Sequence, residues 1–486
     1  MSRINTNVSS MIAQRILGMQ NRALFISLER LSTGLRINRG ADDPAGLIAS
    51  ESLRSEKRAI SAAIGNAERA EQVVNVAEGG LQEINNLLLD LQALVGATAN
   101  EAGISAEEKD ANQLQIDSIL QTIDRLANDT TFNGLKLLNG NFDYTTSGVS
   151  VNITDLTINS ARLSDKAGSF IDVTMRVTQP ADTGAVYLST TGTLTNGGNG
   201  SITFEFTGAD GVQSFTFASG TSQGSIISAI NTFSDSIGVS AVAAGDRVEI
   251  RSRGYGSSEF VRAKSIQGTS DQLIFDAAAG GTASSDLKDE GDDATMLING
   301  ISAVADGLTG RVAGAGFDVS ITISGTSALN MVGGTDTFQI TGGGADFNLS
   351  PSVNLAGKVS IGIQTMTTGN LGNTKDGLLT SLRSGGTANV KNGDLSAAQK
   401  IVDASIKQVA SLRGRLGAFQ KNTVGATINS LGVALENTAA AESAIRDTDF
   451  ANETATLTRQ QILVQAATQV LSIANLQPQA VLALLG

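Results

Sequence analysis

The chain has 486 residues, a mass of 49.9 kDa and a net charge of −13, from 34 Lys and Arg against 47 Asp and Glu. This length suffices for roughly two to four domains with a sizeable core. The pI near 4.6 argues against nucleic-acid binding and against docking on an anionic membrane, since both need a basic surface. We therefore expect no nucleic-acid partner and no membrane partner.

Side-chain chemistry restricts the function further, because the chain contains no His and no Cys. Histidine general bases, thiol nucleophiles, disulfides, iron–sulfur clusters and the usual zinc sites are excluded. A Ser-Lys enzyme or a two-carboxylate enzyme stays open from composition alone. The acidic cluster at 286–293 lacks the spacing of an EF-hand loop and is interpreted as a solvated surface loop.

Glycine divides the chain into three parts. Residues 1–140 hold 11 of the 54 glycines and residues 397–486 hold 5, while the other 38 lie between 141 and 396. Both ends are rich in Ala, Leu, Gln and Glu, and the middle is rich in Gly, Thr and Ser. We predict an α+β fold: a long coiled-coil-like helical hairpin or bundle built from both chain ends, with inserted small β-rich surface domains.

The first helix carries two apolar stripes. Leu17, Leu24, Leu28, Leu31 and Leu35 follow heptad spacing, and Ile12, Ile16, Met19, Ala23 and Ile26 lie beside them. A helix with two adjacent stripes must contact more than one neighbour. The double stripe favours self-assembly over an internal bundle core.

A longer helix is predicted to begin at Pro44, with Asp43 as its cap. Its stripe alternates steps of three and four residues over five heptads: Ile60, Ala63, Ala67, Ala70, Val74, Ala77, Leu81, Ile84, Leu88, Leu91 and Val95. Gly79 and Gly80 each cost this helix about 1 kcal/mol, so packing must hold it there. A third helix is predicted after the capping box of Ser105 and Glu108, followed by a turn at 131–134.

Strands are predicted in the middle and helices again at the C-terminal end. Alternating apolar residues predict a hairpin of 202–206 with 215–217, a short helix at 226–233, a hairpin of 239–242 with 248–250 and a strand at 317–323. The C-terminal helical steps of three and four pass through Val409, Leu412, Leu416, Phe419, Thr423 and Ala426. Leu457, Val464 and Leu471 follow at intervals of seven.

Several ordered motifs resemble those of the bacterial flagellin family. The N-terminal motifs are Leu31-Ser-Thr-Gly-Leu-Arg-Ile-Asn38, Ala41-Asp-Asp-Pro-Ala-Gly46, Thr131-Phe-Asn-Gly134 and Leu137-Leu-Asn-Gly140. The C-terminal motifs are Leu416-Gly-Ala-Phe-Gln420, Ile445-Arg-Asp-Thr-Asp-Phe-Ala451 and Asn475-Leu-Gln-Pro-Gln479. The resemblance covers roughly residues 1–175 and 396–486, and residues 199–268 are similar to a repeat of flagellins and hook-associated proteins.

The resemblance implies a non-enzymatic structural subunit, without a cofactor or metal, that self-assembles into the extracellular flagellar filament for swimming motility. It also implies type III export of the unfolded chain, with an export apparatus, a chaperone, and hook-associated and cap proteins as partners. No Sec-type signal peptide is expected, because no basic segment precedes an apolar one near the N-terminus. The implied domains are an inner-core helix at 1–43, outer-shaft parts at 44–180 and 396–448, a variable β-rich surface region at 181–395 and an inner-core helix at 449–486.

The terminal stripes would form the interface of this homo-oligomeric filament. A buried Leu or Ile contributes about 1.5–3 kcal/mol, but chain ends without neighbours cannot offset their ordering entropy. We therefore expect the ends to fold on assembly. The predicted assembly interface comprises Ile12, Ile16, Leu17, Met19, Leu24, Leu28, Leu31, Leu35, Leu457, Val464, Leu471, Leu482 and Leu485.

The resemblance also bears on the vertebrate innate immune receptor for flagellin. In many family members the stretch that matches residues 87–94 has a basic, polar face centred on an Arg. Here Asp90 occupies the Arg position and Leu89 replaces a polar neighbour. Because an Asp cannot make the bidentate donor contacts of an Arg, we expect weak recognition by this receptor.

Two related functions stay open from sequence. A hook–filament junction protein would share both chain ends, although the N-terminal signature and the C-terminal tip favour a filament subunit. Alternatively, the region 181–395 would give a filament subunit the added role of a surface adhesin. Loss of adhesion with unchanged swimming, after removal of this region, would support the adhesin role.

Overall fold

The computed structural model describes residues 6–100, 103–164, 166, 168–189, 200–267, 274–276, 281–314, 316–326 and 333–483. The helices in these residues are α1 (Val8–Thr33), α2 (Pro44–Thr98), α3 (Ala106–Asp129), α4 (Gln223–Thr232), α5 (Ser234–Ile237), α6 (Leu395–Ala418), α7 (Ala426–Arg446) and α8 (Phe450–Ala483). The strands up to residue 252 are β1 (Thr131–Phe132), β2 (Leu135–Lys136), β3 (Tyr144–Ser147), β4 (Ile153–Ala161), β5 (Ile171–Gln179), β6 (Ala185–Ser189), β7 (Ser201–Thr207), β8 (Val212–Ala218), β9 (Val239–Ala244) and β10 (Arg247–Ser252). The later strands are β11 (Phe260–Gln267), β12 (Ile274–Phe275), β13 (Ala283–Ser284), β14 (Asp286–Glu290), β15 (Thr295–Ile298), β16 (Ile301–Ser302), β17 (Val304–Asp306), β18 (Thr309–Gly314), β19 (Phe317–Ile323), β20 (Thr335–Gly343), β21 (Ala345–Asn348), β22 (Lys358–Ile361), β23 (Gly372–Asn373) and β24 (Gly377–Leu378).

The chain forms two compact units. The first contains residues 1–70, 348–357 and 421–486, and the second contains residues 71–347 and 358–420. The first unit holds α1, the beginning of α2, α7 and α8, whereas the second holds the rest of α2, α3, α6 and nearly all strands. The predicted α+β class, with helical chain ends and an inserted β-rich middle, is confirmed.

The long helix α2 begins at Pro44 as predicted and runs for 55 residues, about 80 Å at 1.5 Å per residue. Every member of its predicted stripe, from Ile60 to Val95, is buried. The side chain of Gln92 donates a 2.6 Å hydrogen bond to Asp403 of α6. The apolar stripe therefore explains how a helix that contains two consecutive glycines stays continuous.

The predicted start of α3 and the turn after it are also confirmed. Ser105 accepts a hydrogen bond from the Glu108 amide, and the Glu108 carboxylate accepts one from the Ser105 amide. In the β1–β2 hairpin, Asn133 and Gly134 both have positive φ, 49° and 81°. This is the geometry of a two-residue type I′ turn, which the Asn-Gly pair favours.

The predicted C-terminal stripe changes register after Phe419. The chain is π-helical from Phe419 to Gly425, so one turn takes more residues than in an α-helix. The next buried side chain is therefore Val424, five positions on, while Ala426 is exposed. The predicted continuation through Thr423 and Ala426 is wrong for this reason.

The β-rich part contains two hydrophobic cores. The first core is shared by the sheets β16-β15-β5-β20-β3 and β17-β18-β19-β4. The second is shared by β13-β12-β6-β10-β9, β14-β11-β7-β8 and α4. Both predicted hairpins are present, with Phe204 opposite Phe215 and Ala241 opposite Ile250, and so are the predicted short helix and the strand at 317–323.

The second core belongs to an insertion in the first. Asp182 and Asp292 exchange two backbone hydrogen bonds of 2.9 and 3.2 Å, so the chain enters and leaves the insertion at one point. We call residues 183–291 between them the inserted module. Strand β5 before the module pairs with β15 after it. The first core is thus built from both sides of the predicted boundary at 180/181.

The acidic cluster is only in part the predicted loop, because Asp292 and Asp293 lie between β14 and β15 outside any strand. Residues Asp286–Glu290 form β14, which pairs with β11 and is mostly exposed. Arg262 makes an ion pair with Asp286, in which the Arg262 guanidinium donates hydrogen bonds to the carboxylate. This hydrogen bonding is the main reason that the pKa of Asp286 is lowered. Cross-strand pairing with β11 therefore gives the acidic residues a structural role.

Candidate functional site

The two chain ends of the first unit form an antiparallel helix pair, α1 with α8. At one end the Asn7 side chain donates a 2.7 Å hydrogen bond to the Ala474 carbonyl, and the Ser10 hydroxyl donates to Asn475. At the other end Arg30 lies 3.7 Å from the carboxylate of Glu453. The beginning of α1 is thereby held against residues more than 460 positions away.

The connections after α1 and before α8 lie against each other. The Arg36 amide donates to the Arg446 carbonyl at 2.7 Å, and the Arg36 guanidinium donates to the Ile445 carbonyl at 2.5 Å. Asp42 accepts hydrogen bonds from the backbone of Arg39 and Asn38, and the Arg39 bond is the main cause of its lowered pKa. The motifs of residues 31–46 and 445–451 are therefore parts of one structural element.

Ion pairs hold α7 against the beginning of α2. Lys57 lies 2.5 Å from the carboxylate of Glu442, and Arg446 lies 2.9 Å from that of Glu51. The Glu442 and Arg446 side chains are mostly covered, with 14% and 18% exposure. Partly buried pairs are screened less by salt than exposed ones. The first unit thus combines charged α2–α7 contacts with apolar α1–α8 contacts.

Six of the predicted interface residues lie on the seam between α1 and α8. Leu17, Leu24 and Leu31 of α1 are half-buried, and so are Leu457, Val464 and Leu471 of α8. The fully buried seam residues are small: Ala13, Ser27, Ala467 and Ala474. In both helices these positions are three, four or seven residues apart, as in a coiled coil. Leu35 is half-buried beyond the end of α1, where it forms an isolated antiparallel β-bridge with Asp447.

The remaining predicted α1 residues face away from the seam. Ile12, Ile16, Met19 and Leu28 are 45%, 42%, 64% and 44% exposed. Leu28 was predicted to share a stripe with Leu24 and Leu31, but Ser27 occupies that position because it keeps the steps of three and four. Leu485 and the side chain of Leu482 lie outside the described part of the structure.

The heptad analysis missed further exposed apolar residues. Those on α1 are Val8, Met11 and Phe25, and those on α8 are Ile462, Val470, Ile473 and Leu476. Phe25 is 69% exposed and Ile473 is 62% exposed. The missed signal is that α8 carries apolar residues on all its sides, whereas the heptad analysis selected a single stripe. A helix of this kind is normally buried on all sides.

We define the outer apolar face as the exposed apolar residues of α1 and α8 described above. Single exposed apolar residues are common on protein surfaces, but a contiguous set indicates an interaction surface. In the described residues no group of three or more His, Cys, Asp or Glu could hold a metal ion. No described helix is long and apolar enough to cross a membrane. The outer apolar face is thus the feature of the first unit that calls for a partner.

The proposed receptor-related residues lie elsewhere, on α2. Leu88 and Leu91 are fully buried in the α2 stripe, while Leu89 is 47% exposed and Asp90 is exposed. Leu89 and Asp90 thus lie on the solvent side of the helix.

Both chain ends match models of the same protein family. Residues 4–143 match the model of the bacterial flagellin N-terminal helical region, and residues 399–485 match that of the C-terminal helical region. The chain is 27% identical over 538 residues to Flagellin A of Helicobacter pylori and 29% identical over 483 residues to Flagellin B of Vibrio cholerae. In both cases 99% of this chain and 99% of the relative are covered.

A solved structure, FliC from Burkholderia pseudomallei, is 14% identical and covers 72% of this chain and 99% of that chain. Its TM-score with this chain is 0.26.

Proposed function

We propose that this chain, which belongs to the bacterial flagellin family and is a structural, non-enzymatic subunit of the extracellular flagellar filament, joins its neighbours through the outer apolar face. The observation that carries this proposal is the exposure of large apolar side chains on both helices of the α1–α8 pair. A two-helix pair buries one side of each helix and leaves the opposite sides in water. Neighbouring copies supply the missing contacts.

The energetics favour growth through these contacts. Each large apolar side chain that is buried contributes about 1.5–3 kcal/mol. Met19, Phe25, Ile462 and Ile473 are all at least 60% exposed, so much of this free energy is still available to the free chain. A heterologous contact that does not close on itself generates a helical filament. The outer apolar face supplies one side of such a contact.

The chain ends order on assembly. The seam positions that are fully buried carry Ala and Ser, and the seam leucines are half-buried, so the pair alone gains little from apolar burial. Isolated helices without such burial are marginal in water. Ends of this kind are compatible with type III export of the unfolded chain, and with an export apparatus, a chaperone, and cap and hook-associated proteins as partners.

Hydrogen exchange tests the coupling between ordering and assembly. The amides of α1 and α8 are expected to exchange rapidly in the free chain and slowly in the filament, while buried α2 amides after Glu71 are protected in both. Equal protection of the chain ends in the two states would overturn coupled folding. Chains that lack residues 1–35 or 458–486 should keep a folded second unit but fail to extend filament seeds. Filaments of normal length from either truncated chain would contradict the proposed interface.

The variable surface region that can be removed is the inserted module, residues 183–291. Its two ends meet at Asp182 and Asp292, so a short linker can join them without moving the first core. We expect a chain without the module to polymerise and to support swimming. Deletion of residues 181–395 is expected to fail, because it removes β15 and β20, the partners of β5. If the chains lacking 183–291 and 181–395 polymerised equally well or equally poorly, the assignment of 183–291 as the removable region would be contradicted.

Loss of surface adhesion with unchanged swimming, in the chain without the module, would assign the module the added role of an adhesin.

Leu89 and Asp90 reduce recognition by the vertebrate innate immune receptor for flagellin. Both side chains are exposed on α2, and Asp90 reverses the charge that the family resemblance implies at this position. Acceptors on the receptor that face Asp90 would be left unpaired or repelled. A cell reporter assay with purified chain tests this, and Asp90→Arg with Leu89→Gln should raise the response. Full activation by the unmodified chain would contradict it.

A further inference from the structure

One strand of the inserted module has an unprotected edge. In proteins, edge strands are normally short, charged, bulged or covered, because an open edge pairs with other strands. β8 has seven residues without a charge or Pro, and its pairing with β7 has no register shift. β8 lies at the end of the sheet β14-β11-β7-β8. It is therefore neither short, charged nor bulged.

The other edges of the described four- and five-stranded sheets are protected. β13, β16 and β17 have only two or three residues, and four of the five residues in β14 are charged. The Asn231 side chain covers β9 with hydrogen bonds to the amide and carbonyl of Ala241. The pairing of β3 with β20 and that of β4 with β19 both contain register shifts. In addition, the Gly362 amide donates a hydrogen bond to the Asn159 carbonyl of β4. The contrast makes the open edge of β8 a specific feature.

Hydrogen-bond geometry shows which backbone groups of β8 point outward. The Gly208 amide donates to Gly211 at one end of the β7–β8 hairpin, and the Ser219 amide donates to Gly200 at the other. Because bonded and non-bonded pairs alternate in an antiparallel ladder, the amides of Val212, Ser214 and Thr216 point away from β7. Within the described residues, the outward groups of Ser214 and Thr216 meet only the Gln213 side chain, 3.4 Å from the Ser214 carbonyl.

We propose that this edge pairs with β8 of a second copy of the chain, antiparallel and centred on Phe215. In this register Ser214 of each copy is opposite Thr216 of the other, and Val212 is opposite Ala218. The paired residues carry no charge, so identical strands meet without repulsion. The outward amides and carbonyls of Ser214 and Thr216 find partners in the same strand of the other copy, whereas the Ala218 carbonyl already accepts hydrogen bonds from the amide and hydroxyl of Thr221.

A second copy is the favoured occupant because the contact is small and self-complementary. One strand pair buries far less than the roughly 1,200 Å² of a stable interface, so it needs a high local concentration. Filaments provide that concentration for a module that each copy carries. An isologous contact closes with two copies and cannot itself propagate. It is therefore separate from filament growth and links modules of assembled copies. Because copies in a helical filament all have the same orientation, the two-fold contact requires the two paired modules to be oriented differently on their first cores.

Disulfide trapping tests the contact and its register, since the chain has no cysteine of its own. Ser214→Cys and Thr216→Cys chains are copolymerised and oxidised mildly. Opposite residues of a bonded pair have Cα atoms about 5.5 Å apart, within the range that a disulfide spans. We expect at least about tenfold more disulfide dimer than in filaments with Thr203→Cys, a position on the neighbouring interior strand β7.

The single variants are the matched controls. In the proposed register, two copies of Ser214 lie about 9 Å apart, too far for a disulfide, and the same holds for Thr216. Filaments of either single variant should therefore form no more dimer than Thr203→Cys. Dimer from one variant alone, or none from the mixture, would overturn the proposal. Slow hydrogen exchange at Ser214 and Thr216 without the mixed dimer would also overturn it, since another occupant then covers the edge. Normal filament growth in every case separates these outcomes from failure of the assembly interface.

Discussion

The side-chain amide of Asn7 donates a 2.7 Å hydrogen bond to the carbonyl of Ala474, across 467 positions of the chain. The same side chain accepts a hydrogen bond from the Ser10 amide and so caps α1. One residue therefore both starts the first helix and joins it to the last.

Asn7→Ala is expected to loosen the first turn of α1 in the filament. Loss of the cap costs about 1 kcal/mol, and loss of the hydrogen bond to Ala474 costs about as much again. Hydrogen exchange of α1 should accelerate, whereas unfolding of the second unit should not change. Asn7→Asp keeps the capping oxygen but lacks the amide donor, so it should show roughly half the effect. Identical exchange in Asn7→Ala and the unmodified filament would contradict the dual role.

The consecutive glycines of α2 are expected to respond oppositely to replacement by Ala. Nothing lies within 4 Å of a Cβ at Gly79, so Gly79→Ala should stabilise the helix by about 1 kcal/mol. A Cβ at Gly80 would lie 2.6 Å from Oγ1 of Thr130, whose hydroxyl is fixed by a hydrogen bond to Leu126. Gly80→Ala should therefore destabilise by about 1–3 kcal/mol. Thermal unfolding measures both changes, and shifts of the same sign would refute this packing argument.

Acid is expected to weaken the junction of the inserted module through Asp293. Its carboxylate accepts hydrogen bonds from the Ser257 hydroxyl, the main cause of its lowered pKa, and from the amides of Gly307 and Ser257. Because the folded pKa lies below the unfolded value of about 3.9, the stabilisation is present above that pH and is lost as the pH falls through the folded pKa.

Unfolding curves from about pH 6 to about pH 2 measure this loss. Asp293→Asn should flatten the pH dependence. Asp292→Asn is the control, since among the described residues the Asp292 side chain makes no hydrogen bond. If the free energy of unfolding fell equally steeply with pH in the unmodified chain and in Asp293→Asn, Asp293 would not contribute to the acid sensitivity.

The helical ends were predictable because their stripes repeat regularly. The α2 stripe from Ile60 to Val95 is buried throughout, and the capping box at Ser105 sets the start of α3. Local turn chemistry likewise located the hairpins. These features depend on residues close in sequence, where period and turn type determine the structure.

The failures came from long-range packing and from a change of helical period. The π-helical turn after Phe419 moves the buried position to Val424, and no local motif announces it. Residues 286–290 form a strand because they pair with β11 and because Leu287 packs against the second core. On α1, Leu24, Leu28 and Leu31 all fit heptad spacing, and only the position of α8 determines that Leu28 faces outward.

Seeded polymerisation tests most directly whether the outer apolar face joins copies. Met19→Gln with Phe25→Gln removes two of its most exposed side chains, 64% and 69% exposed, without touching the seam. Val151→Gln with Phe170→Gln is the matched control in the second unit, where these residues are 96% and 52% exposed. Neither pair of substitutions should change thermal unfolding of the second unit.

Loss of about 3–6 kcal/mol of burial per copy predicts that the critical concentration of Met19→Gln with Phe25→Gln rises at least about 100-fold. The control should polymerise at the critical concentration of the unmodified chain. An unchanged critical concentration for Met19→Gln with Phe25→Gln would contradict the proposed interface.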